Sequence, residues 1–115
     1  MEIKMTEVEY QLMCRRQLVT VLQQMLSKEM SYFEGSREVF RLRSEIDDVS
    51  NSDPDFNSFV VIYSETMHLP YQSQRNLWSS EALAQLDSEF NKTEEWADQF
   101  APQACFNLIK KYDFV

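Results

Sequence analysis

The spacing of apolar residues along the chain predicts a succession of helices, of which the first covers residues 7–27. Apolar residues recur there at steps of three and four, which places them on one face of an α-helix. Thr6 and Glu9 have the spacing of a capping box, in which each side chain bonds a free backbone N–H of the first turn. The predicted buried face consists of Cys14, Leu18, Val21, Leu22 and Met25, widened by Val8, Leu12, Val19 and Leu26.

A second helix is predicted over residues 31–46, and the single glycine of the chain, Gly35, lies inside it. A glycine in a helix interior costs ~1 kcal/mol relative to alanine. Either the backbone breaks there and Ser36 caps the true helix, or another helix packs closely against the glycine. The predicted apolar face consists of Tyr32, Phe33, Val39, Phe40 and Ile46.

A polar loop over residues 47–53 separates the second helix from a third. Asp53 is a favoured N-cap and Pro54 a favoured first helical residue, so the third helix is predicted to run from there to near Thr66. Residues 59–63 are also rich in strand-forming side chains, which leaves a buried strand as the alternative. The helix is favoured because the Asp-Pro start fits it and no partner strand is evident. Its predicted apolar face consists of Phe56, Phe59, Val60 and Tyr63.

Two more helices are predicted in the remainder of the chain. A short helical turn over residues 72–78 precedes them, and Ser79 or Ser80 then caps a long fourth helix. A proline begins the last helix, residues 102–112, because proline is tolerated in a first turn. The predicted core stripes are Leu83, Leu86, Phe90, Thr93, Ala97 and Phe100 in the fourth helix, and Cys105, Phe106, Ile109 and Tyr112 in the last.

Composition supports a helical fold class. The 115 residues include one glycine and three prolines, whereas an all-β domain of this size normally uses many more in its turns. Apolar residues make up 43% of the chain, which is enough to bury a core. The sequence therefore predicts an all-α protein in which residues 1–115 form a single compact domain of about five helices.

The formal net charge of −8 restricts the partners that this chain is expected to bind. Affinity for nucleic acid comes largely from lysine and arginine, and anionic membrane surfaces likewise attract basic segments, so we expect neither as a partner. A basic protein fits better, because opposite charges accelerate encounter. The N-terminal residues do not have the pattern of a signal peptide, and no run of about 18 apolar residues occurs. We therefore expect a cytoplasmic protein.

No residue pattern indicates catalysis or metal binding. Cys14 and Cys105 lie on predicted apolar stripes, and His68 is the single histidine of the chain. A zinc site needs about four suitable ligands. Glu65 and His68 make a weak acid–base pair, because no further histidine or metal site accompanies them. The chain is therefore predicted not to be an enzyme, to bind no metal or cofactor, and to keep both thiols free.

Two acidic clusters are the best candidates for a functional surface. They are either solvated faces or surfaces that dock on a basic cleft, such as the active site of a nuclease. Part of the first cluster also has a structural explanation, because negative charge is favourable at a helix N-terminus. The first cluster consists of Glu45, Asp47, Asp48, Asp53 and Asp55, and the second of Asp87, Glu89, Glu94, Glu95 and Asp98.

A smaller polar set consists of Arg43, Glu65, Arg75 and Trp78. A carboxylate beside a core is stabilised by a guanidinium, because an unpaired buried charge is very costly. We interpret the set as a polar clamp that holds together the second helix, the third helix and the turn at Trp78. A binding pocket built from the same groups is the alternative.

The chain also resembles a known group of proteins over residues 31–97. The similar motifs are Ser31-x-x-Glu34-Gly35-x-Arg37, Leu42-Arg43, Asp53-Pro54-Asp55-Phe56-x-x-Phe59-Val60, Ser64-Glu65-Thr66-x-x-Leu69-Pro70 and Arg75-x-Leu77-Trp78-Ser79-x-Glu81-Ala82-Leu83. These motifs are similar to those of small acidic bacterial proteins of uncharacterised role, and of immunity proteins of contact-dependent growth inhibition systems. Met67 departs from the pattern, because family members often have an aspartate after the Ser-Glu-Thr triplet.

The resemblance implies that the chain inhibits a toxin. An immunity protein of this kind binds the toxic domain of a delivered effector, here as a 1:1 complex with a basic nuclease, and occludes its active site. An interaction or adaptor domain with another partner remains the alternative. In this family the fold signature would be Arg43, Asp53, Pro54, Glu65, Arg75 and Trp78, and the aromatic anchors of the interface would come from Tyr71, Trp78, Trp96 and Phe114.

Overall fold

Five α-helices and one short 3-10 helix make up the chain in a computed structural model, which describes residues 5–113 without the side chains of residues 72 and 73. The α-helices are α1 (Glu7–Leu26), α2 (Tyr32–Arg43), α3 (Pro54–Glu65), α4 (Ser80–Ala97) and α5 (Ala101–Tyr112). The 3-10 helix, Gln72–Leu77, lies between α3 and α4. No strand occurs in the described part of the chain, and the prediction of an all-α domain of about five helices is confirmed.

The predicted starts of α1 to α4 are confirmed by the hydrogen bonds of their N-caps, whereas α5 begins at Ala101, one residue before the predicted start, without a side-chain cap. Thr6 and Glu9 form a reciprocal capping box at the start of α1. Ser31 caps α2, and Ser79 caps α4. Asp53 caps α3, whose helix includes the segment for which a strand was the alternative. Local sequence therefore determines where these helices begin.

Gly35 lies inside an unbroken α2. Its lack of a side chain lets α1 pack closely against α2 at this point. A Cβ atom placed on Gly35 would lie 2.1 Å from Sδ and 2.6 Å from Cγ of Met25, a buried residue of α1. Glycine is therefore the residue that allows this close approach. Ser36 does not cap the helix but is buried within it, and its hydroxyl donates a hydrogen bond to the Phe33 carbonyl at 3.0 Å.

The core is formed mainly by α1, α2, α3 and α5. The helical period predicted much of this core, including Phe56 and Phe59 of α3, but it missed Leu42, Ile62 and Leu108. Its completely buried members include Leu18, Leu22 and Met25 from α1, Val39 and Leu42 from α2, Phe56, Phe59 and Ile62 from α3, and Cys105 and Leu108 from α5.

α4 lies at the edge of the core. Of its residues, all of which the structure describes, Ala97 is the one that is buried. The predicted core positions Leu83, Leu86 and Phe90 are half-buried. The radius of gyration is 15.9 Å, whereas a compact chain of this length has about 13 Å. The prediction of a core stripe in α4 therefore holds only at Ala97, because α4 contacts α2 and α3 sparsely.

Four apolar residues that were predicted to be buried are exposed. Val8 is 70% exposed and Leu12 is 40% exposed on α1, and Phe106 is exposed on α5, where Leu108 takes the core position. Phe40 of α2 is also exposed and stacks on Tyr63 with ring centroids 4.5 Å apart. The helical period identifies a face, but neighbouring helices decide which residues at its margin are covered.

Candidate functional site

A buried glutamine fixes the turn after α2 to α1. Gln11 is 7% exposed. Its Nε2 donates a hydrogen bond to the Glu45 carbonyl at 2.8 Å, and its Oε1 accepts one from the Asp47 N–H at 3.1 Å. Ile46, between these two residues, is buried in the core. The backbone that carries the exposed side chains of Glu45 and Asp47 is therefore held on both sides.

Glu45, Asp47 and Asp48 form what we call the acidic corner, and its charge is only partly balanced. Glu45 accepts a hydrogen bond from the Tyr10 hydroxyl at 2.7 Å, which is the main reason that the pKa of Tyr10 rises to about 12. Asp48 Oδ1 lies 3.7 Å from Arg15 Nη2. The Asp47 carboxylate has no hydrogen bond or ion pair within residues 5–113. Asp47 thus presents an uncompensated charge.

Exposed apolar side chains lie beside this corner. A shallow hollow of about 240 Å³ is lined by Val8, Leu12 and Asp47, among others. Protein interfaces commonly combine an apolar centre with a charged rim. The acidic corner provides such a charged rim beside the apolar side chains of Val8 and Leu12.

The other carboxylates of the first cluster serve as internal contacts. Asp53 caps α3 and lies 3.1 Å from Lys111 Nζ of α5. Burial by itself raises the pKa of Asp53, but hydrogen bonds from Lys111 and from the backbone amides of Phe56 and Asp55 lower it overall. Asp55 accepts a hydrogen bond from Asn107 Nδ2 at 2.9 Å. These two residues join α3 to α5.

Carboxylates of the second cluster attach the C-terminal half of α4 to the start of α2. The two oxygens of Glu94 accept hydrogen bonds from the Tyr32 and Phe33 amides at 2.9 and 3.0 Å, so Glu94 caps α2 from another helix. Burial raises the pKa of Glu94 in spite of these bonds. Asp98 accepts hydrogen bonds from Lys28 Nζ at 2.7 Å and from the Tyr32 hydroxyl. The bond from Lys28 is the main reason that the pKa of Asp98 is lowered.

The middle of α4 is attached in a similar way. Asp87 forms an ion pair with Arg75 at 2.7 Å, and Glu89 contacts His68 Nε2. Glu95 is exposed and makes no hydrogen bond or ion pair in the described part of the chain. Charges with a partner inside the protein are less available to another molecule. Among the predicted partner-binding residues, Asp47 and Glu95 have no such internal contact within the described residues; those that have one are Glu45, Asp48, Asp53, Asp55, Asp87, Glu94 and Asp98.

The structure does not bring the four residues of the predicted clamp together. Arg75 pairs with Asp87 of α4, and the Trp78 side chain is 44% exposed. Within residues 5–113, no hydrogen bond or ion pair joins Arg43 to Glu65, and Nε of Arg43 is buried without a partner. Glu65 is exposed, so it does not require a guanidinium to neutralise it.

A different arginine joins α2 to the end of α3. Nη1 of Arg37 donates to the hydroxyl of the completely buried Thr66 at 3.0 Å, and Nη2 donates to its carbonyl at 2.6 Å. The guanidinium also lies 3.8 Å from the centre of the Phe33 ring and 5.2 Å from that of Tyr71. Sequence analysis missed Arg37 and Gln11 as organising residues. The one available indication for Gln11 was its place on the apolar stripe of α1, where a polar side chain needs a partner.

No hydrogen bond or ion pair in the described part of the chain joins the titratable side chains that sequence analysis considered for chemistry, which are Cys14, Glu65, His68 and Cys105. Cys14 and Cys105 are both buried and unpaired, and burial raises the pKa of Cys105 to about 12. His68 is exposed and contacts Glu89. No group of three or more metal-ligating side chains occurs among the described residues.

A comparison with models of protein families, with curated proteins and with solved structures finds no match to this chain. The resemblance over residues 31–97 therefore rests on the motifs alone. Within the described residues, no helix has both the length and the apolar character needed to cross a membrane. Of the predicted aromatic anchors, Tyr71 and Trp78 are exposed, Trp96 packs against the core, and Phe114 lies outside the described residues.

Proposed function

We propose that this chain is a non-catalytic protein-binding domain that neutralises a cognate toxin domain. The proposed partner is a basic domain, a nuclease in the first instance, bound 1:1 in the cytoplasm. The observation that carries the proposal is the acidic corner, which Gln11 holds in place beside exposed apolar side chains. The motif resemblance supplies the biological context.

The rigidity of the acidic corner supports a role in binding. Association is weakened by the entropy lost when side chains and loops become ordered at an interface. The turn at Glu45 and Asp47 is already anchored through its backbone on both sides of a buried residue. A partner that contacts these carboxylates therefore orders little beyond the side chains themselves.

The charge of the chain supports a basic partner. A net charge of −8 attracts a basic protein over several ångströms and accelerates encounter. Carboxylates of the corner would take the places of substrate phosphates in the active site of a nuclease. Inhibition would then follow from occlusion, and no reaction by this chain is needed.

A toxicity-rescue experiment tests the proposal. The domain encoded by the gene directly upstream, which the proposal expects to be the toxin, is expressed with and without this chain, and survival is expected only with it. Asp47→Lys/Asp48→Lys should reduce the rescue, whereas Glu81→Lys/Glu95→Lys makes the same change of charge on α4 and should not. If the wild-type chain gives no rescue, the proposed function is wrong. If Glu81→Lys/Glu95→Lys reduces the rescue and Asp47→Lys/Asp48→Lys does not, the toxin does not dock on the acidic corner.

A further inference from the structure

A groove of about 730 Å³ runs between α1 and α2. Leu12 lies between this groove and the hollow beside Asp47, because it lines both. Met5 and Leu12 are both exposed, so the floor of the groove is partly apolar. Charged side chains of α1 and α2 line its walls, so the groove combines apolar and charged groups as protein interfaces do.

The charges along the groove balance one another, in contrast to the rest of the chain. On the α2 wall, Arg41 Nη2 lies 2.9 Å from Glu38 Oε2. On the α1 wall, Glu9 uses Oε1 in the capping box of the helix, and its second oxygen has no partner within residues 5–113. Arg16 is exposed, and its guanidinium has no hydrogen bond or ion pair within the same residues. A second acidic chain therefore meets no net repulsion from the groove itself.

The α1 wall is complementary to itself under a two-fold rotation. When two α1 helices lie antiparallel with the axis between Leu12 and Met13, Glu9 of each copy faces Arg16 of the other. Leu12 of each copy then faces Met13 of the other, so the apolar side chains of the two copies meet at the centre of the interface. Isologous dimers require this kind of self-complementary surface, in which each contact occurs twice.

We propose that the α1–α2 groove is the interface of a homodimer, occupied by α1 of a second copy. The helical part of this face, from Glu7 to Thr20, is about 20 Å long at the usual helical rise. One helix face of that length buries less area than the about 1,600 Å² of a standard interface, so the dimer dissociates on dilution. The inference does not rest on the proposed function, because self-association is measured without any toxin.

Sedimentation velocity over a concentration series tests this interface with three variants. Arg16→Glu and Glu9→Lys each place like charges opposite one another twice per dimer, and each is expected to weaken dimerisation about tenfold. Glu9→Lys/Arg16→Glu reverses both partners and is expected to restore the dimer. Lys110→Glu, an exposed position on α5, is the control for the change in charge and should leave dimerisation unchanged. Circular dichroism checks that every variant is folded.

Two results would overturn the proposal. One is a wild-type chain that remains monomeric at millimolar concentration. The other is a double variant that dimerises no better than either single variant. A cross-link provides independent evidence: Met13→Cys lies beside the two-fold axis and should be joined to its copy by a short bismaleimide, whereas Phe106→Cys, exposed on α5, should not. Equal cross-linking at the two positions would contradict the interface.

Discussion

Replacement of Gln11 by alanine tests whether the acidic corner is rigid because α1 holds it. The substitution removes the hydrogen bond to the Glu45 carbonyl at 2.8 Å and the one from the Asp47 N–H at 3.1 Å. Both backbone groups then lose their partner at a partly buried position. We therefore expect a loss of stability together with a loosening of the turn.

The size of the effect follows from the two lost hydrogen bonds. A buried polar group that loses its partner costs about 1–3 kcal/mol, and water can reach this turn, so we take ~2 kcal/mol for the two groups together. The entropy of unfolding is about 2.1 cal/mol/K per residue, and the chain has 115 residues. The melting temperature should therefore fall by ~8 °C.

Thermal and urea denaturation, followed by circular dichroism, measure the loss of stability. Gln23→Ala is the matched control, because Gln23 is exposed on the same helix and its side chain makes no hydrogen bond within residues 5–113. Amide hydrogen exchange of Asp47 measures the loosening directly and should accelerate by about tenfold or more. The reasoning is refuted if Gln11→Ala melts together with Gln23→Ala and the exchange of the Asp47 amide is unchanged.

Three further predictions concern packing, pH and thiol reactivity. Gly35→Ala should destabilise the protein by about 1–2 kcal/mol in urea denaturation, because overpacking against Met25 outweighs the gain in helix propensity; the same substitution should cost less when it is made in a Met25→Ala background, although Met25→Ala is itself destabilising. The pKa of Asp98 is lowered mainly by the hydrogen bond from Lys28. The stability that the ionised Asp98 carboxylate gives to the folded protein is therefore complete above the unfolded pKa and is lost as the pH falls below about 4. Asp98→Asn should lose less stability on acidification than the wild type. The pKa of Cys105 is raised to about 12 by burial, so labelling with iodoacetamide near neutral pH should require unfolding.

Each of these three predictions has a contradicting result. A Gly35→Ala variant more stable than the wild type would mean that α1 and α2 do not pack closely at that point. If the stability of Asp98→Asn and of the wild type falls identically with pH, the contact between Lys28 and Asp98 does not stabilise the protein. Rapid labelling of Cys105 in the native state, assigned by peptide mass spectrometry, would mean that the thiol is accessible.

Helix identity and helix starts could be predicted because their causes are local. The N-cap side chains of α1 to α4 lie within three residues of the amides they bond, as at Ser31 and Ser79. The Asp-Pro start of α3 likewise outweighed the strand-forming character of residues 59–63. Caps and periodicity are therefore visible in the sequence before any tertiary contact is known.

The partners of the carboxylates could not be predicted because they are remote in sequence. Gln11 is 36 residues from Asp47, and Lys28 is 70 residues from Asp98. Whether an acidic residue is free or internally bonded depends on the helix that packs beside it. For the same reason, sequence alone assigned Val8 and Leu12 to the core, although no neighbouring helix covers them fully.

The most direct measurement of the central claim is the rate of association between this chain and the basic toxin domain that the proposal assigns to it, followed by stopped flow over a range of salt concentrations. The account predicts fast association that slows as salt is added. In Asp47→Lys/Asp48→Lys, association should be slower and its dependence on salt flatter. A rate that is the same in both proteins at every salt concentration would contradict the claim that the acidic corner guides the partner to this surface.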